Sequence, residues 1–126
     1  MRTVEWPSGG SWSVGGLTQS PSELSAQHGL TFERGADDLD EVELAWVVDS
    51  KIGPILLQRY CNSPDSGTEI LVDFAVTRTA SDRALRRFFA GSAFLYSWRT
   101  PFETAAETFA DADAQTKAHR VTAASG

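Results

Sequence analysis

The sequence predicts an α+β domain in which an antiparallel β-meander packs against helices. Three apolar runs follow one another in the middle of the chain, at residues 41–48, 54–61 and 69–77. The links between them, residues 49–53 and 62–67, contain Gly, Asp, Ser or Pro, which are typical turn formers. Helix-capping patterns on both sides of this region indicate helices. A meander is the simplest connection for such closely spaced strands.

Each strand of the meander has a pattern that predicts its position. The expected inner face of the first run consists of Val42, Leu44, Trp46 and Val48. The expected inner face of the third run consists of Ile70, Val72, Phe74 and Val76. The middle run is apolar on both faces at residues 55–57, which favours a central strand. Asp73 is expected to face solvent, and if it were buried it would need a partner such as Arg59.

The segment before the first helix, residues 1–19, is rich in Gly, Ser and Trp. It predicts an arm or a short irregular strand, with Trp6 and Trp12 docked on the domain or anchoring a partner. Its glycine pairs follow no predicted strand and precede no Lys-Ser or Lys-Thr pair, so a phosphate-binding loop is not predicted.

The first helix is predicted at residues 21–28. A capping box at residues 20–23 has Pro at the first helical position, and Gly29 stands where a helix ends. Residues 30–34 alternate weakly and predict a strand beside the first strand of the meander.

A second helix is predicted at residues 82–90, capped by Thr79 or Ser81. The helical wheel places Leu85, Phe88 and Phe89 on one face and Arg83, Arg86 and Arg87 on the opposite face. A further strand is possible at residues 93–98, and the alternative is a single helix over residues 82–99.

The third helix is predicted at residues 101–118, because residues 100–103 form another capping box with Pro. Its apolar stripe consists of Phe102, Ala105, Ala106 and Phe109. Asp113 interrupts this stripe, so only the first half is expected to pack. Residues 121–126 predict a loose tail.

The length of 126 residues suits one domain, predicted at residues 20–120. No apolar run is long enough for a membrane helix and no secretory signal is evident, so a soluble cytoplasmic protein is expected. The net charge of -6 argues against nucleic-acid binding and favours a basic protein partner. Cys61 is the single cysteine, which excludes an internal disulfide.

Two groups of residues are candidate sites. The first is an acidic partner-binding surface formed by Asp37, Asp38, Asp40, Glu41 and Glu43. The second is an aromatic pocket lined by Trp46, Phe74, Tyr96 and Trp98. The acidic stretch lacks the spacing of a calcium loop. No metal, cofactor or catalytic site is predicted, because the histidines and the cysteine are far apart and match no motif.

The run from Ala84 to Gly91, followed by a strand ending at Trp98, resembles the C-terminal part of small acidic immunity proteins of bacterial polymorphic-toxin systems. The resemblance covers residues 84–98. It implies a non-enzymatic inhibitor that blocks a cognate toxin by covering its active site. It implies no particular binding residue in this chain.

Three functions follow as hypotheses. The first is a non-enzymatic protein-binding module, of the immunity type if the resemblance holds. The second is a small-molecule-binding protein or small enzyme with an aromatic pocket between sheet and helices. The third is a structural subunit of a larger assembly.

Overall fold

The computed structural model describes residues 5–36, 41–64, 66–90 and 94–125, with side chains as far as residue 117. The described elements are β1 (Ser11–Leu17), α1 (Pro21–His28), β2 (Glu33–Ala36), β3 (Glu41–Asp49), β4 (Gly53–Tyr60), β5 (Thr68–Asp73), α2 (Arg78–Phe88), β6 (Tyr96–Arg99) and α3 (Ala105–Ser125). The strands form one sheet in the order β2-β3-β4-β5-β1-β6, and neighbouring strands are antiparallel. The predicted α+β class with an antiparallel sheet is confirmed, and β2 to β5 form a meander.

The β3–β4 hairpin turns at residues 49–53. Asp49 Oδ2 accepts hydrogen bonds from the backbone N–H groups of Lys51 and Ile52, at 2.8 and 3.0 Å. Gly53 has φ +85°, a conformation that residues with a side chain rarely adopt. The side chain of Asp49 and the glycine together fix this turn.

An ion pair ties this hairpin to α2. Arg87 Nη2 lies 2.9 Å from Asp49 Oδ2, and Arg87 Nε donates to Asp49 Oδ1 at 3.2 Å. The guanidinium of Arg87 and the two backbone donors lower the pKa of Asp49 from 3.8 to about 2. Because the folded-state pKa is depressed, the ionised carboxylate stabilises the fold above pH 4, and this contribution disappears as the pH falls toward 2.

We therefore expect Asp49→Asn to lower the free energy of unfolding by about 1 kcal/mol at pH 7, with a smaller difference at pH 3. The full pKa shift overstates the effect, because the Arg87 side chain is 37% exposed and water screens the pair. Urea denaturation at the two pH values measures the difference. The control is Asp113→Asn, which removes an exposed pair with Lys117 and is expected to change little at either pH. If Asp49→Asn lowered the free energy of unfolding equally at pH 7 and pH 3, the stabilising role of the ionised Asp49 carboxylate would be contradicted.

Strand β1 lies inside the sheet, between β5 and β6. The sequence predicts an arm or a short irregular strand here. Of these two alternatives, the structure has the strand. The pairing register with β5 shifts between Ser13 and Gly15, so the strand is irregular at this point. Trp12 is buried, and its indole N–H donates to the carbonyl of Val76 at 3.0 Å.

The pairing register divides the side chains between two faces, because directly paired residues point to the same side. One face, here called the helix face, holds Val47, Ile55, Leu57, Ile70 and Val72. These side chains form one buried cluster with Leu24 of α1, Ala84, Leu85 and Phe89 at α2, and Ala105 of α3. All three helices therefore pack on the same side of the sheet.

The expected inner face of β3 is correct in part, because Val42 and Leu44 are buried, but it is not the face that the helices cover. Val42, Leu44, Trp46 and Val48 point away from the helices, and Val48 is 77% exposed. Ala45 and Val47 face the helices instead. Both faces of this strand carry apolar side chains, so alternation alone could not identify the side that the helices cover.

The end of β5 and the start of α2 also differ from the prediction. Strand β5 ends at Asp73, and Thr77 is the helix cap, since its Oγ1 accepts from the N–H of Ala80 at 3.1 Å. Neither Thr79 nor Ser81 caps the helix. Ser81 is buried within α2. The expected face is correct for Leu85 and Phe89, but Phe88 is 40% exposed.

Asp73 is buried, contrary to its expected place on the solvent face, and its partner is not Arg59. The N–H and the hydroxyl of Ser8 donate to its two carboxylate oxygens at 2.9 and 2.7 Å, and Ala75 N donates at 2.8 Å. Burial alone would raise the pKa of Asp73, but these hydrogen bonds outweigh it and lower the pKa. Uncharged hydrogen-bond donors therefore stabilise the Asp73 carboxylate in place of the expected Arg59.

Strand β6 excludes a single helix over residues 82–99, although residues 91–93 lie outside the described part. Helix α3 begins at Ala105, later than predicted, because Thr104 Oγ1 accepts from the N–H of Glu107 at 3.1 Å. In the predicted stripe Ala105 is buried, Ala106 is exposed, and Phe109 is 51% exposed. The helix continues to Ser125, through most of the predicted tail. None of the described helices combines the length and the apolarity needed to cross a membrane.

Candidate functional site

The face of the sheet opposite the helices, here called the helix-free face, is the candidate functional surface. Its strand positions include Glu33, Val42, Leu44, Trp46, Val48, Leu56, Gln58, Tyr60, Glu69, Leu71, Asp73, Ser13, Gly16 and Trp98. Trp46, Leu56, Tyr60 and Leu71 are half-buried, and Trp98 is 42% exposed. Accessible Trp and Tyr among aliphatic side chains are typical of the centre of a protein interface.

The N-terminal segment borders this face at one end. The rings of Trp6 and Trp46 lie 5.4 Å apart, and Ser8 binds the carboxylate of Asp73. Phe74 N donates to the carbonyl of Gly10 at 2.9 Å, which fastens the segment to the end of β5. Within the described residues, the segment therefore borders the end of the face near Trp46 and Asp73.

A cavity of about 200 Å³ opens on the face where β4, β5, β1 and β6 lie side by side. Gln58, Tyr60, Glu69 and Trp98 contribute to its wall, and Gly16 lies beneath Trp98. Gln58 Nε2 donates to Glu69 Oε1 at 2.7 Å, and Ser13 Oγ donates to Glu69 Oε2 at 3.2 Å. The carboxylate of Glu69 is therefore held in place by neutral groups from both neighbouring strands.

The glycine pair of β1 makes room for β6. A Cβ at Gly16 would lie 2.5 Å from Trp98 Nε1, and a Cβ at Gly15 would lie 2.7 Å from the carbonyl oxygen of Trp98. Only glycine permits this close approach. These two residues belong to a strand, and their role is to seat Trp98 against the sheet.

Charge is divided between the two sides of the sheet. The charged side chains at strand positions of the helix-free face are acidic, at Glu33, Glu69 and the buried Asp73. Arg34, Arg59 and Arg99 occupy alternate positions, and four further arginines belong to α2. The charged strand positions of the helix-free face are therefore acidic, with the side chain of Arg59 reaching the cavity beside Glu69, and the helix side carries most of the positive charge.

The arginines of the helix side mostly meet acids of the same chain. Asp82 accepts from Arg86 at 2.9 Å and from the hydroxyl of Tyr96 at 3.0 Å, and Arg99 lies 3.5 Å away. Partial burial would raise the pKa of Asp82, but the bonds from Arg86 and Tyr96 lower it. Burial and the Asp82 carboxylate raise the pKa of Tyr96. Tyr96 thus remains a protonated donor and joins β6 to α2.

The predicted acidic surface is only partly within the described residues. Asp37, Asp38 and Asp40 lie outside them. Glu41 and Glu43 point to the helix side and meet Arg34 at 3.4 and 3.9 Å. Their charge is partly neutralised within the chain, and binding by the whole stretch stays a prediction.

The four residues of the predicted aromatic pocket are not brought together. Trp46 and Trp98 are on the helix-free face, where they line two separate hollows. Tyr96 pairs with Leu17 and packs on the helix face. Phe74 follows β5 and stacks on Phe109, with ring centroids 5.8 Å apart.

Sequence reasoning missed Gln58, Tyr60, Glu69 and Gly16 as site residues. They come from three strands whose order in the sheet does not follow the chain, so no local motif marks them. The Gly15–Gly16 pair inside an otherwise alternating segment is the signal that could have indicated a close approach of another strand. Among the described residues, no three His, Cys, Asp or Glu side chains are placed to hold a metal ion.

No family model, curated protein or solved structure matches this chain.

Proposed function

We propose that the chain is a non-enzymatic protein-binding module that docks a basic partner on its helix-free face. The observation that supports this proposal is a sheet face on which the described part of the chain packs no helix, with accessible Trp98 and half-buried Tyr60 beside the carboxylate of Glu69 and half-buried Trp46 elsewhere on the face. Aromatic anchors with surrounding apolar contacts contribute most of the binding energy in protein interfaces. Acidic groups on the face add attraction and orientation for a basic partner.

The size of the face fits this function. Six strands about 4.8 Å apart span about 24 Å, and six residues extend about 20 Å, so the flat area is about 500 Å². One partner buries about 800 Å² in a standard interface. Part of this area is covered, because Val42 and Leu44 are buried and Trp6 packs on Trp46, so the face supplies less than this area and loops at its edges would supply the remainder.

The small-molecule alternative has less support. The cavity of about 200 Å³ beside Glu69 is below the range of about 300–1,000 Å³ typical of ligand pockets. Wider hollows beside α1 and beside residues 75–80 are shallow and open to solvent. A cavity of the smaller size suits one side chain of a protein partner.

The resemblance of residues 84–98 to small acidic immunity proteins favours an inhibitor as the kind of binding module. In that case the partner is a toxin, and the helix-free face blocks access to its active site. Occlusion requires only shape and charge complementarity.

The test is affinity capture followed by calorimetry with two matched variants. Val48→Arg with Glu33→Arg adds three positive charges to exposed positions of the helix-free face. Ala106→Arg with Glu107→Arg adds the same charge to exposed positions of α3. We expect one protein to bind stoichiometrically to the unmodified chain and to the α3 variant, and at least tenfold more weakly to the face variant.

Equal affinity of all three chains would contradict the proposed surface. A third variant with Asp37, Asp38 and Asp40 changed to Lys tests the acidic stretch. If only this variant fails to bind the partner, the acidic stretch is the binding surface and the helix-free face is not. If the unmodified chain binds no protein stoichiometrically, the proposed function is wrong.

A further inference from the structure

The cavity beside Glu69 has the chemistry of a receptor for one cationic side chain. Its volume is about 200 Å³. It lies within the helix-free face, so a partner seated on that face would cover its mouth. The occupant must therefore be narrow, must enter from the partner's side, and must suit the groups that line the wall.

Glu69 supplies an uncompensated negative charge. Each of its carboxylate oxygens accepts one hydrogen bond from a neutral group, Gln58 on one side and Ser13 on the other. A carboxylate offers about four acceptor positions, so about two remain for a ligand. Within the described part of the chain, Glu69 forms no ion pair with Lys or Arg. The held but unneutralised carboxylate favours a positively charged occupant.

Aromatic side chains supply the second contact. Trp98 lies over Gly16 with 42% of its surface exposed, and Tyr60 lines the same cavity. A cation placed over an indole or phenol ring is attracted by the electrons of the ring. The seat of Trp98 is fixed by the close approach at Gly16, so the ring needs little reordering when a ligand enters.

We infer that Glu69 and Trp98 form a receptor site for one arginine side chain of the protein partner. This inference rests on the proposed function and names the residue that the partner inserts. The guanidinium is planar, binds a carboxylate through two parallel hydrogen bonds and stacks on aromatic rings, whereas an ammonium is a compact and strongly hydrated charge.

Other occupants fit the wall less well. An anion would meet the charge of Glu69, and an apolar side chain would bury that charge without a partner. Arg59 also reaches the rim of the cavity, where Nη2 donates to the carbonyl of Ser63 at 3.5 Å. This contact joins the guanidinium to the loop after β4.

The test is an NMR titration of the full chain with N-acetyl-arginine methylamide. The indole N–H signal of Trp98 is identified by its absence in Trp98→Phe, and we expect it to shift in a saturable way at millimolar concentrations. N-acetyl-citrulline methylamide has nearly the same shape without the charge and is expected to cause no saturable shift. The lysine analogue is expected to bind at least threefold more weakly than the arginine analogue.

Two matched variants locate the site. Glu69→Gln removes the charge and keeps one acceptor oxygen, for either Gln58 or Ser13, and we expect at least fivefold weaker arginine binding. Glu107→Gln removes an exposed charge from α3, outside this face, and should bind arginine as the unmodified chain does. An unshifted Trp98 signal, or equal binding by Glu69→Gln and the unmodified chain, would refute the arginine site.

The outcome is separable from that of the proposed function. If a protein partner binds the helix-free face but Glu69→Gln leaves its affinity unchanged, the arginine site is wrong and the binding module stands. If arginine binds at Glu69 but no protein is captured, the site exists and the proposed function fails. If Glu69→Gln weakens both arginine binding and partner binding at least fivefold, the arginine site and the proposed function are both supported.

Discussion

Replacing Phe89 by alanine is expected to lower the free energy of unfolding by about 3–4 kcal/mol, because the substitution removes a large aromatic side chain from the packed core. Phe89 is 2% exposed and contacts the rings of His28 and Phe94, with centroids 4.5 and 5.1 Å away. The neighbouring Phe88→Ala is the matched control. Since Phe88 is 40% exposed, Phe88→Ala is expected to lower the free energy of unfolding by about 1 kcal/mol.

Urea denaturation followed by circular dichroism measures both variants against the unmodified chain. Adjacent residues at the end of a helix point in directions about 100° apart. Equal losses in the two variants would mean that both side chains are buried alike. That result would contradict the orientation of α2 on the sheet.

Replacing Gly15 by alanine is expected to lower the free energy of unfolding by about 2–3 kcal/mol. The new Cβ would lie 2.7 Å from the carbonyl oxygen of Trp98, and a backbone atom of a paired strand cannot rotate away. Strand β6 must therefore move from β1. Loss of the hydrogen bonds between these strands would accompany the loss of stability.

Gly10→Ala is the control for this substitution. Gly10 has no heavy atom within 4 Å of an added Cβ, and its φ is not positive. We expect its unfolding free energy to remain within about 0.5 kcal/mol of the unmodified value. Amide hydrogen exchange of β6 provides a second measurement. Unchanged protection at Ser97 to Arg99 in Gly15→Ala would show that the two strands are not as close as described.

Elements specified by neighbouring residues were predictable from the sequence. Helix α1 was predicted with its observed bounds, because the Ser20–Glu23 capping box and the left-handed Gly29 define both ends locally. Strands β3 and β4 were predicted within one residue at each end, since apolar runs and a short turn define them. Local rules decide such elements because their signals lie within a few positions.

Features that depend on distant parts of the chain were not predictable. Asp73 is buried because Ser8, 65 positions earlier, supplies two of its hydrogen bonds. The Gly-rich β1 has little intrinsic strand preference, and pairing with β5 and β6 holds it in the sheet. The start of α2 was missed for another reason. Three hydroxyl residues within five positions could each cap it, and Thr77 is the one whose side chain accepts from the first turn, at the N–H of Ala80.

The candidate site belongs to the second category. Glu69, Gln58 and Trp98 become neighbours only through the strand order, in which β1 separates β5 from β6. Trp98 and Tyr96 stand two positions apart, so strict alternation would place them on one face of the sheet. The register shift between Gly16 and Leu17 nevertheless places Trp98 opposite Gly16 and Tyr96 opposite Leu17. That shift puts the two aromatics on opposite faces of the sheet.

The most direct test of the proposed binding surface is methyl cross-saturation NMR on the complex with the captured partner. Irradiating the partner is expected to attenuate the methyl signals of Val48, Leu56 and Leu71 on the helix-free face. The methyl signals of Leu57, Ile70 and Leu85, on the helix face, should keep their intensity. Attenuation confined to exposed alanines of α3, with Val48, Leu56 and Leu71 unaffected, would contradict the account.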